Sequence, residues 1–313
     1  MSSPFPVPPE PPEGAISWNM NTACNYRCSY CTQRFLEDRG RWARDVPRFL
    51  ASFARLPGRW EVKLSGGEPF VHPQFHDVVR GLSELGLRVS VVTNFSAREE
   101  ELLAFLDAAG ERLGVVSGSL HLEYVDEVPT PRSRDTLEGF VSRCRLVQER
   151  LVPGASLCVT CVATRENLPR LATLKARFGE AGVRFKVQPE KQDRDVIQYS
   201  EEETAALLAL GGHNLTGSIA PDFSGRPCWA GARYFILDDK GRAFRCYPAR
   251  RYKQEYLGDF LDPAFALPSG PSPCRYRYCN CTVPIERGMM PAEDAPDGRA
   301  PSPLPILDGE APR

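Results

Sequence analysis

Strand-like and helix-like segments alternate along most of this chain, and the alternation restricts its fold more than any other feature. The runs that predict strands are Ala15–Asn21, Trp60–Ser65, Arg88–Asn94, Gly114–His121, Leu157–Thr164 and Val183–Gln188. Amphipathic segments between them predict helices at Val46–Leu56, Gln74–Leu85, Ala97–Ala109, Arg134–Leu151 and Asn167–Ala181. Repeated strand–helix–strand units build parallel sheets. The sequence therefore predicts an α/β fold, a partial (β/α)6 barrel with a small C-terminal cysteine-rich extension.

The predicted fourth strand separates polar from apolar side chains. Successive side chains of a strand point to opposite faces, which places Ser117, Ser119 and His121 together and Val116 with Leu120 on the other face. A barrel that holds a substrate needs polar side chains toward its lumen and apolar ones toward its helices. A sheet with one solvated face is the alternative that this pattern leaves open, although parallel sheets are usually buried on both faces.

Composition divides the chain into four predicted regions. Residues 1–13 are proline-rich and indicate a disordered lead-in, and residues 286–313 combine prolines and charges in a disordered tail. Between these tails, we expect the barrel to occupy residues 14–215. We expect the cysteine-rich extension to occupy residues 216–285.

Charge and hydropathy exclude several classes of partner. The chain has 39 Lys and Arg residues and 40 Asp and Glu residues, and its net charge of −1 offers no attraction to nucleic acid or to an anionic membrane. The first residues do not resemble a signal peptide, and no apolar run approaches the ~18 residues that a membrane span needs. We therefore expect a cytoplasmic protein that binds neither nucleic acid nor membrane.

Eleven cysteines in a reducing compartment indicate metal binding or catalysis rather than disulfides. Three lie near the N-terminus, and five lie between Cys228 and Cys281, so two metal-binding groups are implied. The remaining three are Cys144, Cys158 and Cys161, which we interpret mainly as packing residues. Strand alternation places Cys161 in the core and leaves Cys158 on the lumen face.

Two short motifs follow the first two predicted strands. The first, CNYRCSYC, has the spacing C-x3-C-x2-C, with its cysteines at Cys24, Cys28 and Cys31. Thiolates are the usual ligands of iron–sulfur clusters, and a [4Fe–4S] cluster needs four, so three would leave one iron open. The second motif, SGGEP at Ser65–Pro69, has glycines that let a ligand approach the backbone, and Glu68 can accept hydrogen bonds from a cationic amine.

Together the two motifs resemble the signatures of the radical S-adenosylmethionine (SAM) superfamily, over roughly residues 15–190. The resemblance implies that Cys24, Cys28 and Cys31 hold a [4Fe–4S] cluster, whose open iron is chelated by the amino and carboxylate groups of SAM. It also implies further contacts to SAM: Tyr30 near the adenine, Gly66, Gly67, Glu68 and Pro69 at the amino group, and Asn94, Ser117 and Ser119 at the carboxylate or ribose.

The resemblance implies an activity as well. The reduced cluster would cleave SAM to methionine and a 5′-deoxyadenosyl radical, which takes a hydrogen atom from an unactivated carbon. A low-potential electron donor such as flavodoxin or ferredoxin would supply the electron. Among polar residues near the barrel mouth, His121, Glu123 and Lys186 are the catalytic candidates, His121 for proton transfer and Lys186 for pairing with a carboxylate.

The C-terminal cysteines resemble the SPASM/twitch extension of the same superfamily. Cys228, Gly241 and Cys246 match its C-x9-15-G-x4-C opening, and the segment between the two cysteines predicts a hairpin that turns at Asp238–Gly241. The remaining cysteines are Cys274, Cys279 and Cys281, and the count allows one auxiliary [4Fe–4S] cluster. Which of these three complete it stays open. A zinc site with four cysteine ligands is the alternative.

Several functions fit these features. The first is hydrogen abstraction from a peptide or protein side chain for its modification, with oxidation, cross-linking and epimerisation all open. The second is dehydrogenation of a small carbohydrate-like or aminocyclitol substrate. A third, of another class, is a non-catalytic zinc- or iron–sulfur-binding protein, which SGGEP disfavours because a structural metal site needs no amine-binding carboxylate.

Overall fold

A computed structural model describes residues 12–32, 43–127, 134–192, 195–210, 218–279 and 288–290. Cys281 and most of the two predicted tails lie outside this part of the chain. Within it, no helix is both long enough and apolar enough to cross a bilayer.

The order of elements follows the predicted alternation. The strands of the described residues are β1 (Gly14–Asn21), β2 (Trp60–Gly66), β3 (Arg88–Thr93), β4 (Leu113–Leu120), β5 (Val125–Asp126), β6 (Asp135–Thr136), β7 (Ser156–Ala163), β8 (Arg184–Pro189), β9 (Lys191–Gln192), β10 (Asp195–Val196), β11 (Pro227–Cys228), β12 (Tyr234–Leu237), β13 (Arg242–Phe244), β14 (Tyr256–Asp259) and β15 (Ser272–Pro273). The helices are α1 (Val46–Phe53), α2 (Phe75–Glu84), α3 (Glu99–Ala109), α4 (Leu137–Glu149), α5 (Leu171–Glu180), α6 (Glu201–Leu210) and α7 (Tyr247–Arg251).

The six long strands form one parallel sheet, which confirms the predicted fold class. Their order is β1-β2-β3-β4-β7-β8, and every neighbouring pair is parallel. Each begins and ends within one residue of its prediction. In the described residues, β8 is an edge of the sheet, so the barrel is partial and open.

The C-terminal region adds three strands to the other edge of this sheet. β12 pairs in parallel with β1, and β13 and β14 follow as antiparallel neighbours. The hairpin between β12 and β13 turns as predicted, with the Gly241 N–H donating to the Asp238 carbonyl at 3.1 Å. The sheet therefore continues across the boundary expected between residues 215 and 216.

The two faces of β1 show how the sheet divides core from lumen. Trp18 is fully buried on the helix side and stacks on Phe49 of α1, with ring centroids 4.7 Å apart. Ser17, Asn19 and Asn21 alternate with such apolar residues and point to the other side. The interior surface of the barrel is therefore polar, as the sequence predicts.

Helix boundaries differ more from prediction than strand boundaries do. α4 begins at Leu137 rather than at Arg134, because Thr136 caps it by accepting a hydrogen bond from the Gly139 N–H at 3.0 Å. α5 begins at Leu171, after a short 3₁₀ turn at Leu168–Arg170. α6 was not predicted.

Candidate active site

A cavity of about 210 Å³ opens at the carboxyl ends of the parallel strands. Parallel sheets commonly bind ligands at this end. The cavity brings together ten of the predicted site residues: Cys24, Cys28, Cys31, Tyr30, Gly66, Gly67, Glu68, Asn94, Ser119 and His121. Pro69, Ser117, Glu123 and Lys186 do not line it.

The cysteine loop and the SGGEP loop are bonded directly to each other. The Glu68 N–H donates to the Ala23 carbonyl at 2.8 Å, and the Gly67 N–H donates to the Asn21 carbonyl at 3.0 Å. The side-chain amide of Asn21, which is fully buried, donates to the Glu68 carbonyl at 2.8 Å. Asn21 was not among the predicted site residues. Its signal was a polar residue on the lumen face at the last position of β1, just before the motif.

The two glycines of SGGEP are required by this contact. A Cβ at Gly67 would lie 1.9 Å from the carbonyl oxygen of Ala23, and Gly66 has a φ of +128°, which L side chains rarely adopt. The motif alone predicts that these glycines let a ligand approach the backbone. In the structure, they also let two backbone segments touch.

Glu68 is a buried carboxyl at the wall of the cavity. It accepts hydrogen bonds from the Thr93 hydroxyl at 2.7 Å, from the Asn94 N–H at 2.7 Å and from the Phe70 N–H at 3.3 Å. Burial raises its pKa to about 7, against the opposing effect of these hydrogen bonds. A cation in the cavity would favour the ionised carboxylate.

His121 contacts the cysteine loop from β4. Its Nδ1 lies 2.8 Å from the Tyr30 hydroxyl and 3.4 Å from the Cys28 sulfur. Burial lowers the pKa of His121 to about 4, so the imidazole is neutral near pH 7. The structure thus places His121 beside the cysteines, in the wall of the cavity.

Glu123 also supports the cysteine loop. Its carboxylate accepts hydrogen bonds from the Ser29 N–H at 3.0 Å and from the Ser29 hydroxyl at 2.5 Å. The same side of the loop is held by Tyr124, which stacks on Tyr26 at 4.2 Å between ring centroids and accepts from the Arg27 N–H at 2.8 Å. Tyr26 and Tyr124 were not predicted as site residues.

Another part of the cavity wall comes from later in the chain, including one residue of the C-terminal region. Gln188, Lys191 and Tyr247 line it, whereas Lys186 does not. The Tyr247 hydroxyl lies 2.8 Å from the Thr32 hydroxyl, next to Cys31. Since Tyr247 directly follows Cys246, this contact joins the cavity to the second group of cysteines.

The three thiols fit a cluster of several ions. Burial raises the pKa of Cys24 to about 11 and that of Cys28 to about 12, so both are protonated until a metal displaces the protons. In the described part of the chain, no three His, Cys, Asp or Glu side chains are close enough to hold one metal ion. Three thiols that line one cavity are ligands of the type that iron–sulfur clusters use.

The C-terminal cysteines surround a second, apolar cavity. Four of the five predicted ligands line it: Cys228, Cys246, Cys274 and Cys279. Phe223, Tyr276 and Met290 lie between them, and burial raises the pKa of Cys228 and Cys274. Four sulfur donors in an apolar pocket suit a thiolate-ligated cluster.

The three middle cysteines lie away from both cavities. Cys144 and Cys161 belong to the main hydrophobic core, and burial raises the pKa of each to about 12. The Cys158 thiol is 3.6 Å from the Ser117 hydroxyl, deeper in the barrel. These positions agree with a packing role.

Comparison with known proteins gives one family and several relatives. The family model described as "Radical SAM superfamily" matches residues 18–172. The chain is 24% identical over 265 residues to the PqqA peptide cyclase of Gluconobacter oxydans, across 77% of this chain and 72% of that protein.

Solved structures share the fold at low identity. Streptococcus suis SuiB bound to S-adenosylmethionine superposes with a TM-score of 0.59 at 15% identity, across 82% of this chain and 65% of that chain. The structure of anSMEcpe with bound AdoMet superposes with a TM-score of 0.57 at 16% identity, across 79% of this chain and 78% of that chain. The chain thus spans just under two thirds of the length of SuiB.

Proposed function

Because this chain belongs to the radical SAM superfamily, we propose that it cleaves SAM at a [4Fe–4S] cluster held by Cys24, Cys28 and Cys31 and thereby modifies a peptide or protein side chain. When bound, the cluster and SAM together supply one-electron chemistry that yields a 5′-deoxyadenosyl radical. One observation carries the proposal: the three cysteines and the buried Glu68 line a single cavity at the carboxyl ends of the strands.

The protein's own residues position SAM in this proposal. The Glu68 carboxylate, held by Thr93 and Asn94, offers negative charge to the amino group. Tyr30 offers an aromatic face for the adenine, and Asn94 and Ser119 offer polar groups to the rest of the molecule. Asn21 fixes the distance between the two loops.

The peptide substrate is supported by the relatives. A PqqA peptide cyclase matches most of the chain, and structures with the same fold include SuiB bound to precursor peptide SuiA and anSMEcpe with the Kp18Cys peptide. In this chain, Gln188, Lys191 and Tyr247 form one part of the cavity wall. We assign this wall to the substrate.

We further propose that Cys228, Cys246, Cys274 and Cys279 hold an auxiliary [4Fe–4S] cluster. Their shared apolar cavity supports this proposal, and Tyr247, the residue after Cys246, lines the wall that we assign to the substrate. When bound, such a cluster would offer an acceptor for an electron left on the substrate. A low-potential donor such as flavodoxin or ferredoxin supplies the first electron, and the reducing cytoplasm keeps the thiols available.

Of the three predicted catalytic residues, His121 and Glu123 contact the cysteine loop, so we assign them to its support. Lys186 is half-buried on β8, outside the cavity lining. Its catalytic role stays a prediction.

Anaerobic reconstitution of the full chain tests the proposal. We expect about eight irons and eight sulfides per chain, from two clusters, and 5′-deoxyadenosine formation with dithionite. The triple variant Cys24→Ala, Cys28→Ala, Cys31→Ala should lose about four irons and all cleavage. Cys144 lies in the core, away from both cavities, so Cys144→Ala serves as the control. This variant should keep its full iron content and its SAM cleavage. Bound zinc without SAM cleavage would contradict the proposal.

A further inference from the structure

Arg245 is a buried cation among the C-terminal cysteines. It lies between β13 and Cys246, is 6% exposed, and lines the same cavity as Cys228, Cys274 and Cys279. Burying a charge is costly unless it is paired and hydrogen-bonded, so a guanidinium in this position calls for an explanation.

The guanidinium bonds to two other segments, one around Cys228 and one that leads to Cys274. Toward Cys228, its Nε donates to the Ala230 carbonyl at 2.9 Å, and Nη2 lies 3.5 Å from the carbonyl oxygen of Cys228. Toward Cys274, Nη2 donates to the Ser272 carbonyl at 2.6 Å and Nη1 donates to the Pro273 carbonyl at 2.9 Å. Cys246 is its neighbour in sequence.

Backbone bonds already join the segments around Cys228 and Cys274, from the Cys274 N–H to the Arg226 carbonyl and from the Gly225 N–H to the Cys274 carbonyl, each at 2.8 Å. β11 and β15, which lead to Cys228 and Cys274, pair over two residues each. The planar guanidinium can serve several carbonyls at once because its five N–H donors are fixed in a fork, an arrangement that a lysine ammonium does not offer. Arg245 thereby ties this backbone ladder, at both of its strands, to the segment that carries Cys246.

The charge of Arg245 is paired on one side only. Nη1 bonds to the Glu255 carboxylate at 2.8 Å, and Glu255 does not line the cavity, whereas Arg245 does. Of the two charged groups, the guanidinium is therefore the one that lines the cavity of the cysteines. A cation in the wall of a cavity favours the more negative state of a group held there.

From these contacts, we propose that Arg245 is a positioning residue of the auxiliary cluster, which holds Cys228, Cys246 and Cys274 at ligand spacing and favours the reduced cluster. The inference rests on the auxiliary cluster of the proposed function. Net charge near a cluster and hydrogen bonding around its ligands are the protein's means of setting its potential. A buried ion pair that only supports the fold would affect neither the iron content nor the potential.

The experiment isolates the auxiliary cluster in the full chain. In the Cys24→Ala, Cys28→Ala, Cys31→Ala background, iron and sulfide are counted after anaerobic reconstitution, and the midpoint potential is measured by EPR-monitored titration. Arg245→Lys keeps the charge but loses the fork, so we expect at least a twofold loss of iron. Glu255→Gln keeps a hydrogen-bond acceptor but removes the negative charge. We therefore expect the equilibrium ratio of reduced to oxidised cluster to rise about tenfold, which raises the midpoint potential by about 59 mV for one electron.

The control is Arg242→Lys on the same hairpin. Arg242 pairs with Asp238 and is half-exposed, away from the cavity, so this variant should keep iron and potential unchanged. Circular dichroism checks that each variant is folded. If Arg245→Lys keeps its iron and Glu255→Gln keeps its midpoint potential, the role assigned to Arg245 is wrong, and the auxiliary cluster itself is unaffected. A background protein without iron would instead overturn the auxiliary cluster, and the assignment with it.

Discussion

Replacing Gly67 with alanine tests the contact between the two loops of the cavity that we assign to SAM. The added Cβ would lie 1.9 Å from the carbonyl oxygen of Ala23, and backbone cannot move aside as a flexible side chain can. The loops must separate, which breaks the three hydrogen bonds from Gly67 to Asn21, from Glu68 to Ala23 and from Asn21 to Glu68.

The size of the effect follows from these bonds. At about 1 kcal/mol net for each, their loss amounts to about 3 kcal/mol. If the separated loops must be brought together again when SAM binds, the affinity for SAM falls roughly a hundredfold. The free energy of unfolding of the chain should fall by about 3 kcal/mol as well.

The assay is SAM binding by equilibrium dialysis to the anaerobically reconstituted chain, with chemical denaturation for stability. Gly179→Ala in α5 is the matched control, because its added Cβ meets nothing within 4 Å. We expect this control to bind SAM normally and to be more stable by roughly 0.5–1 kcal/mol, since alanine favours helix. A Gly67→Ala chain that binds SAM within about threefold of the wild type would refute the role of the loop contact.

Three further predictions concern two carboxylates near the cavity, Glu68 and Glu123. Because burial raises the pKa of Glu68 to about 7, SAM affinity should rise about tenfold from roughly pH 6 to pH 8 as the carboxylate ionises, and Glu68→Gln should abolish this dependence in a binding titration. Without SAM, the chain should lose stability as pH rises from 4.5 to 7, because the folded state holds the Glu68 proton longer than the unfolded state does. Glu123→Gln should weaken the bonds to Ser29 and lower iron content, whereas a catalytic base would lose turnover with iron retained.

The sequence predicted the parallel sheet and the cysteine and SGGEP motifs because these are local features. Strand limits follow from alternation within a few residues, and each motif directly follows its strand. Asn21 was missed because its role depends on the carbonyl of Glu68, 47 positions away in the chain. Hydrophobic periodicity in a sequence does not reveal a hydrogen bond between two residues so far apart in the chain.

The C-terminal region shows the same limit. β12 has four residues, and its alternating side chains serve two cores, with Phe235 and Leu237 in the main core and Tyr234 and Ile236 in the cysteine-rich core. A run this short predicts a hairpin but not its pairing with β1, 219 residues earlier at Ala15–Tyr234. For the same reason, the sequence did not place Tyr247 and Arg245 at the two cavities.

Reductive cleavage of SAM by the reconstituted full chain tests the central claim most directly. With dithionite as reductant, the wild-type chain should form 5′-deoxyadenosine, and the Cys24→Ala, Cys28→Ala, Cys31→Ala variant should form none. SAM cleavage that persists in the variant would contradict the assignment of this cavity to SAM. So would a wild-type chain that holds both clusters and does not cleave SAM.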